Sequence, residues 1–392
     1  MRFVEDLDVE RKTVLLRCDF NVTIINGEIK DDEKIRASLE TIKYLLGKGC
    51  KIIIQSHIES KETDSLAIVH QRLQELLDGE TVSFCEATSG PVLSAAVDAL
   101  DYGQIVLMEN TRREPGEKTC EAALVKEWGS LCDVYVMDAF GTTHRQHAST
   151  SGLLLSKESG FGKLVRKEVK SLSTLLAPEE PFVVVMGGAK VDDKMKQFKF
   201  LLEKADKLIA GGGILNTILK ILGKQVGTSL VSTDPKIIAD VTALYAQHEE
   251  KIIMPIDVVV ETQDKQKVVK TIDEVEETDC ILDIGPATIA LYGSHIITAQ
   301  AGFINGTVGY YDKPNDDRFG DGTQSVLQTC ADNGTFVVGG GDALASAHYY
   351  GFTEEDFAIS TGGGAALDFL IRGDGTFACQ ATPAQKVEKA QA

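Results

Sequence analysis

The sequence predicts a two-domain α/β protein whose parallel sheets are covered by helices, and three observations lead there. Its 392 residues exceed the roughly 100–200 of one domain. Short β-branched runs alternate with amphipathic helical segments along most of the length. Four runs in the second half pass directly into glycine clusters, the pattern of strands that end at a ligand.

The first run, residues 14–17 (VLLR), precedes helical spacing over 34–48, with Ile35, Leu39, Ile42 and Leu45 on one face. Further strand-like runs occupy 52–55, 105–109 and 134–138. A charged helical stretch at 163–176 then meets Ala-Pro-Glu-Glu-Pro at 177–181, which marks the junction between domains. Beyond it the same βα rhythm returns through 182–186, 208–210, 252–255, 281–283, 336–338 and 358–360. After Arg372 the apolar periodicity fades, and the final QKVEKAQA is polar.

Composition narrows the function. The chain is 43% hydrophobic and 25% charged, and no run approaches the roughly 18 apolar residues of a membrane span. MRFVEDLDVERK lacks the apolar core of a secretory signal, so a soluble cytoplasmic protein is expected. The eight cysteines form no CxxC pair and read as reduced structural thiols. A net charge of −19 disfavours nucleic acid and anionic membranes as partners. An anionic substrate must then meet a local cluster of bases.

The glycine clusters are Gly187-Gly188, Gly211 to Gly213, Gly339 to Gly341 and Gly362 to Gly364. Glycine lets the backbone approach a ligand, and a helix beginning just after it aims N–H groups at an anion. Neither a P-loop nor a Gly-x-Gly-x-x-Gly fingerprint is present. Lys190 and Lys194 follow the first cluster and Asp342 the third, a pairing suited to phosphate oxygens and Mg²⁺.

At these residues the chain resembles the phosphoglycerate kinases over nearly its whole length. The segments that carry the resemblance, in order, are Arg17-Cys-Asp-Phe-Asn-Val, Ser56-His57, Glu109-Asn-Thr-Arg112, Asp138-Ala-Phe-Gly-Thr142 and His144-Arg-Gln-His147. Gly187-Gly-Ala-Lys-Val191, Asp193-Lys194, Gly211-Gly-Gly213, Leu282-Asp-Ile-Gly-Pro286, Asn305-Gly306, Gly339-Gly-Gly-Asp342 and Ser360-Thr-Gly-Gly-Gly-Ala365 continue it.

The resemblance implies two Rossmann-like lobes, each a parallel sheet flanked by helices, joined by a long interdomain helix. It divides the chain into a phosphoglycerate lobe (1–162), an interdomain helix and hinge (163–180), a nucleotide lobe (181–371) and a tail (372–392). It implies glycolytic phosphoryl transfer between 1,3-bisphosphoglycerate and ADP, with Mg²⁺, by a monomer whose lobes close to align the substrates and exclude water. Asp19 and Asn21 match positions that bind the glycerate end, and His57, Arg112 and Arg145 match the grip on the 3-phosphate. On the nucleotide side the matches are Gly188, Ala189, Lys190, Lys194, Gly212, Gly213, Asn305, Gly341, Asp342 and Ala343. Asp312 stands for the family's ribose-binding glutamate and Asp342 for its metal ligand. The 282–286 loop matches the adenine region. Lys34, Lys190, Lys194 and Gly363 match the groups around the transferring phosphoryl.

Several positions depart from the family. Lys34 replaces an arginine, keeping charge but losing the planar fork, while Arg36 would point to another helix face. Ile58-Glu59-Ser60-Lys61 stands for Leu-Gly-Arg-Pro, so Ser60 removes a phosphate-binding arginine and a carboxylate enters. Lys61 and Arg113 are the candidates to compensate. Ile304 and Thr307 flank Asn305-Gly306 in place of tryptophan and proline, Ala343 replaces a common hydroxyl, and the tail lacks the family ending. Two expectations therefore stand side by side: an active kinase, and a divergent nucleotide-binding paralogue with a regulatory or interaction role. A dinucleotide-dependent dehydrogenase is disfavoured by the missing fingerprint.

Overall fold

The computed structural model describes residues 1–189, 191–310 and 318–377. It contains two compact units, one formed by Met1–Lys170 with the segment from Arg372, the other by Ser171–Ile371. Both are α/β, as the alternation of runs predicts.

The first unit is built on a six-stranded parallel sheet in the spatial order Val82–Cys85, Ile105–Met108, Lys51–Gln55, Thr13–Cys18, Val134–Asp138, Glu158–Phe161. In register, Leu16 lies between Ile54 and Val136, and all three are fully buried. Helices cover both faces, which is why these strands are apolar throughout and do not alternate. Strand order reverses beside Thr13–Cys18, so loops leaving the carboxyl ends open a crevice there.

The second unit has six parallel strands in the order Ile252–Ile253, Lys207–Ala210, Phe182–Met186, Ala301–Asn305, Phe336–Gly339, Ala358–Ser360. Numbered along the chain this is 3-2-1-4-5-6, the doubly wound order of dinucleotide-binding folds, and it reverses between Phe182–Met186 and Ala301–Asn305. All four glycine clusters begin within two residues of the carboxyl end of a strand of this sheet.

Three local expectations need correction. The helical spacing over 34–48 is two helices, Glu33–Ala37 and Leu39–Gly47, because Ser38 interrupts it and donates its Oγ–H to the Lys34 carbonyl at 3.5 Å. Residues 281–283 do not join the parallel rhythm. They lie in Cys280–Ile284, which pairs antiparallel with Asp257–Glu261 in a separate three-stranded sheet completed by Lys267–Thr271. Only residues 262–266 link the last two strands, too few for a parallel crossover. Finally, Val82–Cys85, Glu158–Phe161 and Ala301–Asn305 are strands that the apolar pattern did not announce.

The helix Lys163–Ser173 contains the boundary between the units. At the far end of the described chain, the Phe377 ring lies 4.9 Å from Phe161 and 6.4 Å from Phe140, so this segment completes the first unit. The seven described cysteines are all free. Among the described residues no helix is long and apolar enough to cross a membrane.

The single tryptophan, Trp128, is fully buried in the first unit and donates its Nε1–H to the Thr88 carbonyl at 2.8 Å. Its fluorescence should follow denaturation of that unit. Leu16→Ala should lower the stability measured this way by about 2–5 kcal/mol, the cost of a cavity in a closed core. A loss below about 1 kcal/mol would mean that the central strand is less tightly packed than its burial indicates.

Candidate functional site

The first unit gathers its basic residues on loops that leave carboxyl ends of the sheet. Asp19 and Asn21 follow Thr13–Cys18, His57 follows Lys51–Gln55, Arg112 follows Ile105–Met108, and Arg145 follows Val134–Asp138. Beneath them lies Arg17, fully buried within its strand. Its Nε–H donates to Ser149 Oγ at 3.0 Å, Nη1 donates to the Cys18 carbonyl, and Nη2 lies 3.1 Å from His57 Nδ1. The Ser149 hydroxyl in turn donates to the fully buried Glu117 carboxylate at 2.6 Å.

A guanidinium has only donors, so His57 Nδ1 accepts and the ring proton sits on Nε2. Burial first, then the charges of Arg17, Arg112, Arg145 and Lys34, hold the His57 pKa far below its ordinary value. His57 is therefore a neutral donor within the cluster, not one of its cations. His147 repeats the arrangement, its Nδ1 lying 3.1 Å from Arg112 Nη1. Burial and the neighbouring arginines push its pKa down to about 4.

Asn110 sets the position of Arg112. Its Oδ1 caps the turn Thr111–Arg113 by accepting from the Arg112 N–H at 3.1 Å, while its Nδ2 donates to the carbonyls of Ile58 and Asp64 at 2.9 and 2.7 Å. The Arg112 side chain is only 8% exposed. Its Nε and Nη2 are buried without a hydrogen-bond partner, which is costly unless an acceptor arrives. Glu59 Oε1 stands 3.4 Å from Nε as an ion pair.

Lys34 reaches the same loops, donating to the Asn21 carbonyl at 3.1 Å with Asp19 Oδ2 at 3.7 Å. Arg36 is paired with Asp32 at 2.8 Å, so it takes no part in that contact. Arg113, expected as a compensating charge, is engaged by Asp64 at 2.8 Å and Glu109 at 2.9 Å. Two carboxylates already use its fork, which removes it from that role.

In the second unit a cavity of about 300 Å³ opens at the reversal in strand order. Gly188, Ala189, Gly212, Gly213 and Asp342 line it, as do Asn216, Leu230, Ile281, Leu282, Thr307, Gly309 and Tyr310. Gly188 (φ +97°) and Gly212 (φ +53°) adopt backbone that side chains resist, and their backbones touch. A Cβ on Gly188 would sit 3.1 Å from Lys194 Nζ and 3.8 Å from Asp342 Oδ2, which places a cation and a carboxylate close to one glycine. Lys194, on the helix Val191–Lys204, donates to the Gly187 carbonyl at 2.6 Å and to that of Asn305 at 3.4 Å. Burial lowers its pKa and the Asp342 charge raises it in part.

Asn305 is buried beside this lysine, and Ala343 is buried behind Gly341 and Asp342 in the first turn of the helix Gly341–Tyr349. Neither Asn305 nor Ala343 lines the cavity. Gly363 (φ +50°) precedes the helix Gly364–Arg372, with open space where a Cβ would point. Lys190 and Asp312 lie outside the described residues. Sequence reasoning assigned no role to Arg17, Glu117 or His147, nor to Asn216, Leu230 and Tyr310. A charged residue inside an apolar run was the available signal for Arg17. Leu230 and Tyr310, 51% and 43% exposed, are apolar side chains left in solvent around the cavity.

The neutral His147 predicts a pH effect on stability. Above its ordinary value of 6.5 the ring is uncharged whether the chain is folded or not. As pH falls from there to about 4 the unfolded chain gains a proton that the folded chain refuses, and stability declines. His147→Gln should make this decline shallower, as measured by urea midpoints across that window. Parallel slopes would mean that the ring is already charged in the folded protein.

The family model described as "Phosphoglycerate kinase" matches residues 4–373. The phosphoglycerate kinase of Macrococcus caseolyticus is 40% identical over 385 residues, covering 94% of this chain and 96% of its own. That of Fusobacterium nucleatum is 39% identical over 388 residues, with the same coverage. Among solved structures, phosphoglycerate kinase from Coxiella burnetii superposes with a TM-score of 0.80 at 34% identity, over 94% of this chain and 95% of its own. The Pyrococcus horikoshii enzyme gives 0.83 at 29%, over 94% and 96%. With its fold, its basic cluster and its glycine-lined cavity alike in keeping, the chain belongs to the phosphoglycerate kinase family.

Proposed function

We propose that the protein catalyses reversible transfer of a phosphoryl group between 1,3-bisphosphoglycerate and ADP, yielding 3-phosphoglycerate and ATP, with a carboxyl group as the acceptor in reverse. The observation that carries this reading is Arg112, a guanidinium almost wholly buried with two nitrogens that lack a hydrogen-bond partner, amid Arg17 and Arg145 in a chain of net charge −19. Such a site needs an anion rich in acceptors, and a phosphate supplies three oxygens. Family membership supports the rest.

In this reading Arg112 and Arg145 hold the 3-phosphate, while His57 donates through Nε2 without adding charge. Asp19 and Asn21 orient the glycerate, and Lys34 stands beside them. In the second unit the base enters the cavity bordered by Leu230, Leu282 and Tyr310, and the phosphates lie toward Gly188 and Gly212. An oxygen of the ADP β-phosphate attacks the acyl phosphorus, the bond from phosphorus to the carboxyl oxygen breaks, and the carboxylate leaves with that electron pair. The protein's work is alignment and neutralisation of charge on the equatorial oxygens. Lys190, Lys194 and the N-terminus of the helix Gly364–Arg372, with Gly363, are assigned to that charge.

Among the described residues no group of three His, Cys, Asp or Glu could cage a metal. The lone carboxylate of Asp342 fits a Mg²⁺ that arrives with the nucleotide, since this ion keeps waters and takes one or two protein ligands beside phosphates. When bound, it neutralises phosphate charge. A cytoplasmic monomer acting on small molecules completes the proposal.

A coupled assay with 3-phosphoglycerate and MgATP tests the function. Turnover below about one per minute with ordinary ADP binding would replace the kinase with a nucleotide-binding paralogue. Arg112→Ala should raise KM for 3-phosphoglycerate by about 100-fold, from about 3 kcal/mol of charge-assisted hydrogen bonding. An unchanged KM would remove the phosphate from this cluster. Lys34→Arg should raise kcat, because the fork binds phosphoryl oxygens two at a time. A variant no faster than the parent would show that another group serves the transferring phosphoryl.

A further inference from the structure

Glu59 is an anion that the basic cluster already holds against Arg112. Its Oε1 lies 3.4 Å from Arg112 Nε and 3.6 Å from Lys118 Nζ. Its backbone N–H is fixed by Asn21 Oδ1 at 2.8 Å, so residue 59 is tied to the loop that carries Asp19 and Asn21. The two partners differ in setting. Arg112 is 8% exposed, whereas Glu59 and Lys118 are 48% and 64% exposed.

The contact with Arg112 is an ion pair without a hydrogen bond, for Nε and Nη2 both remain unpartnered. A carboxylate in this position offsets the buried charge of Arg112 but leaves its donors for a better acceptor. It can also retreat, because Lys118 offers a second cation on the solvent side.

We propose that Glu59 is an internal competitor for the phosphate site, a specificity-determining residue that a substrate must displace from Arg112 before it binds. This rests on the phosphate-binding reading of the cluster given above. A ligand with one negative charge gains little by exchanging places with a carboxylate of equal charge. A phosphate dianion brings twice the charge and more acceptor oxygens, so it wins the exchange. Glu59 therefore weakens the phosphorylated substrate moderately and excludes singly charged anions more completely.

The test uses the full chain and the variants Glu59→Gln, Glu59→Gly and Glu59→Asp, with KM and kcat for 3-phosphoglycerate at saturating MgATP and inhibition by chloride at constant ionic strength. Glu59→Gln and Glu59→Gly should lower KM by about fivefold, in line with loss of one half-exposed ion pair, and leave kcat within about twofold. Chloride should inhibit both at lower concentration than it inhibits the parent, and Glu59→Asp should restore the parental pattern. A KM that is unchanged or higher in both neutral variants, with Arg112→Ala still raising it, overturns this inference alone. If Arg112→Ala leaves KM unchanged, the phosphate site itself is misplaced and the inference falls with it.

Discussion

Arg17 is the constraint around which the first unit is arranged. A guanidinium cannot shed its proton in a protein, so burying one in a central strand demands acceptors on all sides. Ser149, Cys18 and His57 supply them, and Glu117 behind Ser149 supplies the balancing charge. Each partner lies on a different segment of the chain. One buried cation thus fixes the tautomer of His57 and ties the strand Thr13–Cys18 to the loop after Lys51–Gln55 and to the turn at 148–152. The electrostatic setting of Arg112 is a consequence: it stands near Arg17 and Arg145 in a region whose charge is only partly compensated.

The second unit sets a single lysine among close-packed backbone. There the reversal of strand order brings two glycine-bearing loops together, and the contact between Gly188 and Gly212 leaves room only for main chain. Lys194 spans the reversal by donating to carbonyls that follow and end neighbouring strands, Gly187 and Asn305. The lysine is thus held by weak neutral acceptors, which a phosphate oxygen outbids with full charge. On the proposed function, both units bind an anion on an acidic protein, the first through buried guanidinium groups and the second through main chain and a lysine.

What the sequence disclosed follows from these physics. Asp19, His57, Arg112 and Arg145 were legible through the ordered segments that carry the family resemblance, and the apolar runs before them are strands because both faces of the sheet are buried. Val82–Cys85 and Glu158–Phe161 escaped because short strands at the sheet edges carry exposed residues and need no continuous apolar pattern. The direction of the strand that carries Ile281 and Leu282 was misread for a topological reason: an antiparallel strand and a parallel one look alike over so few residues. Arg113 was misjudged because Asp64, 49 residues away, joins the neighbouring Glu109 on its fork only in three dimensions.

The packing of Phe377 on Phe140 and Phe161 bears on how the chain is made. Its segment belongs to the first unit, yet all of Ser171–Ile371 is synthesised before it. On a ribosome adding roughly 5–20 residues each second, that interval lasts on the order of ten seconds or more. Throughout it, two aromatic rings of an otherwise complete sheet lack their cover. The first unit to be translated is consequently the last to be finished, and any premature release of the chain leaves that aromatic surface to solvent or to a chaperone.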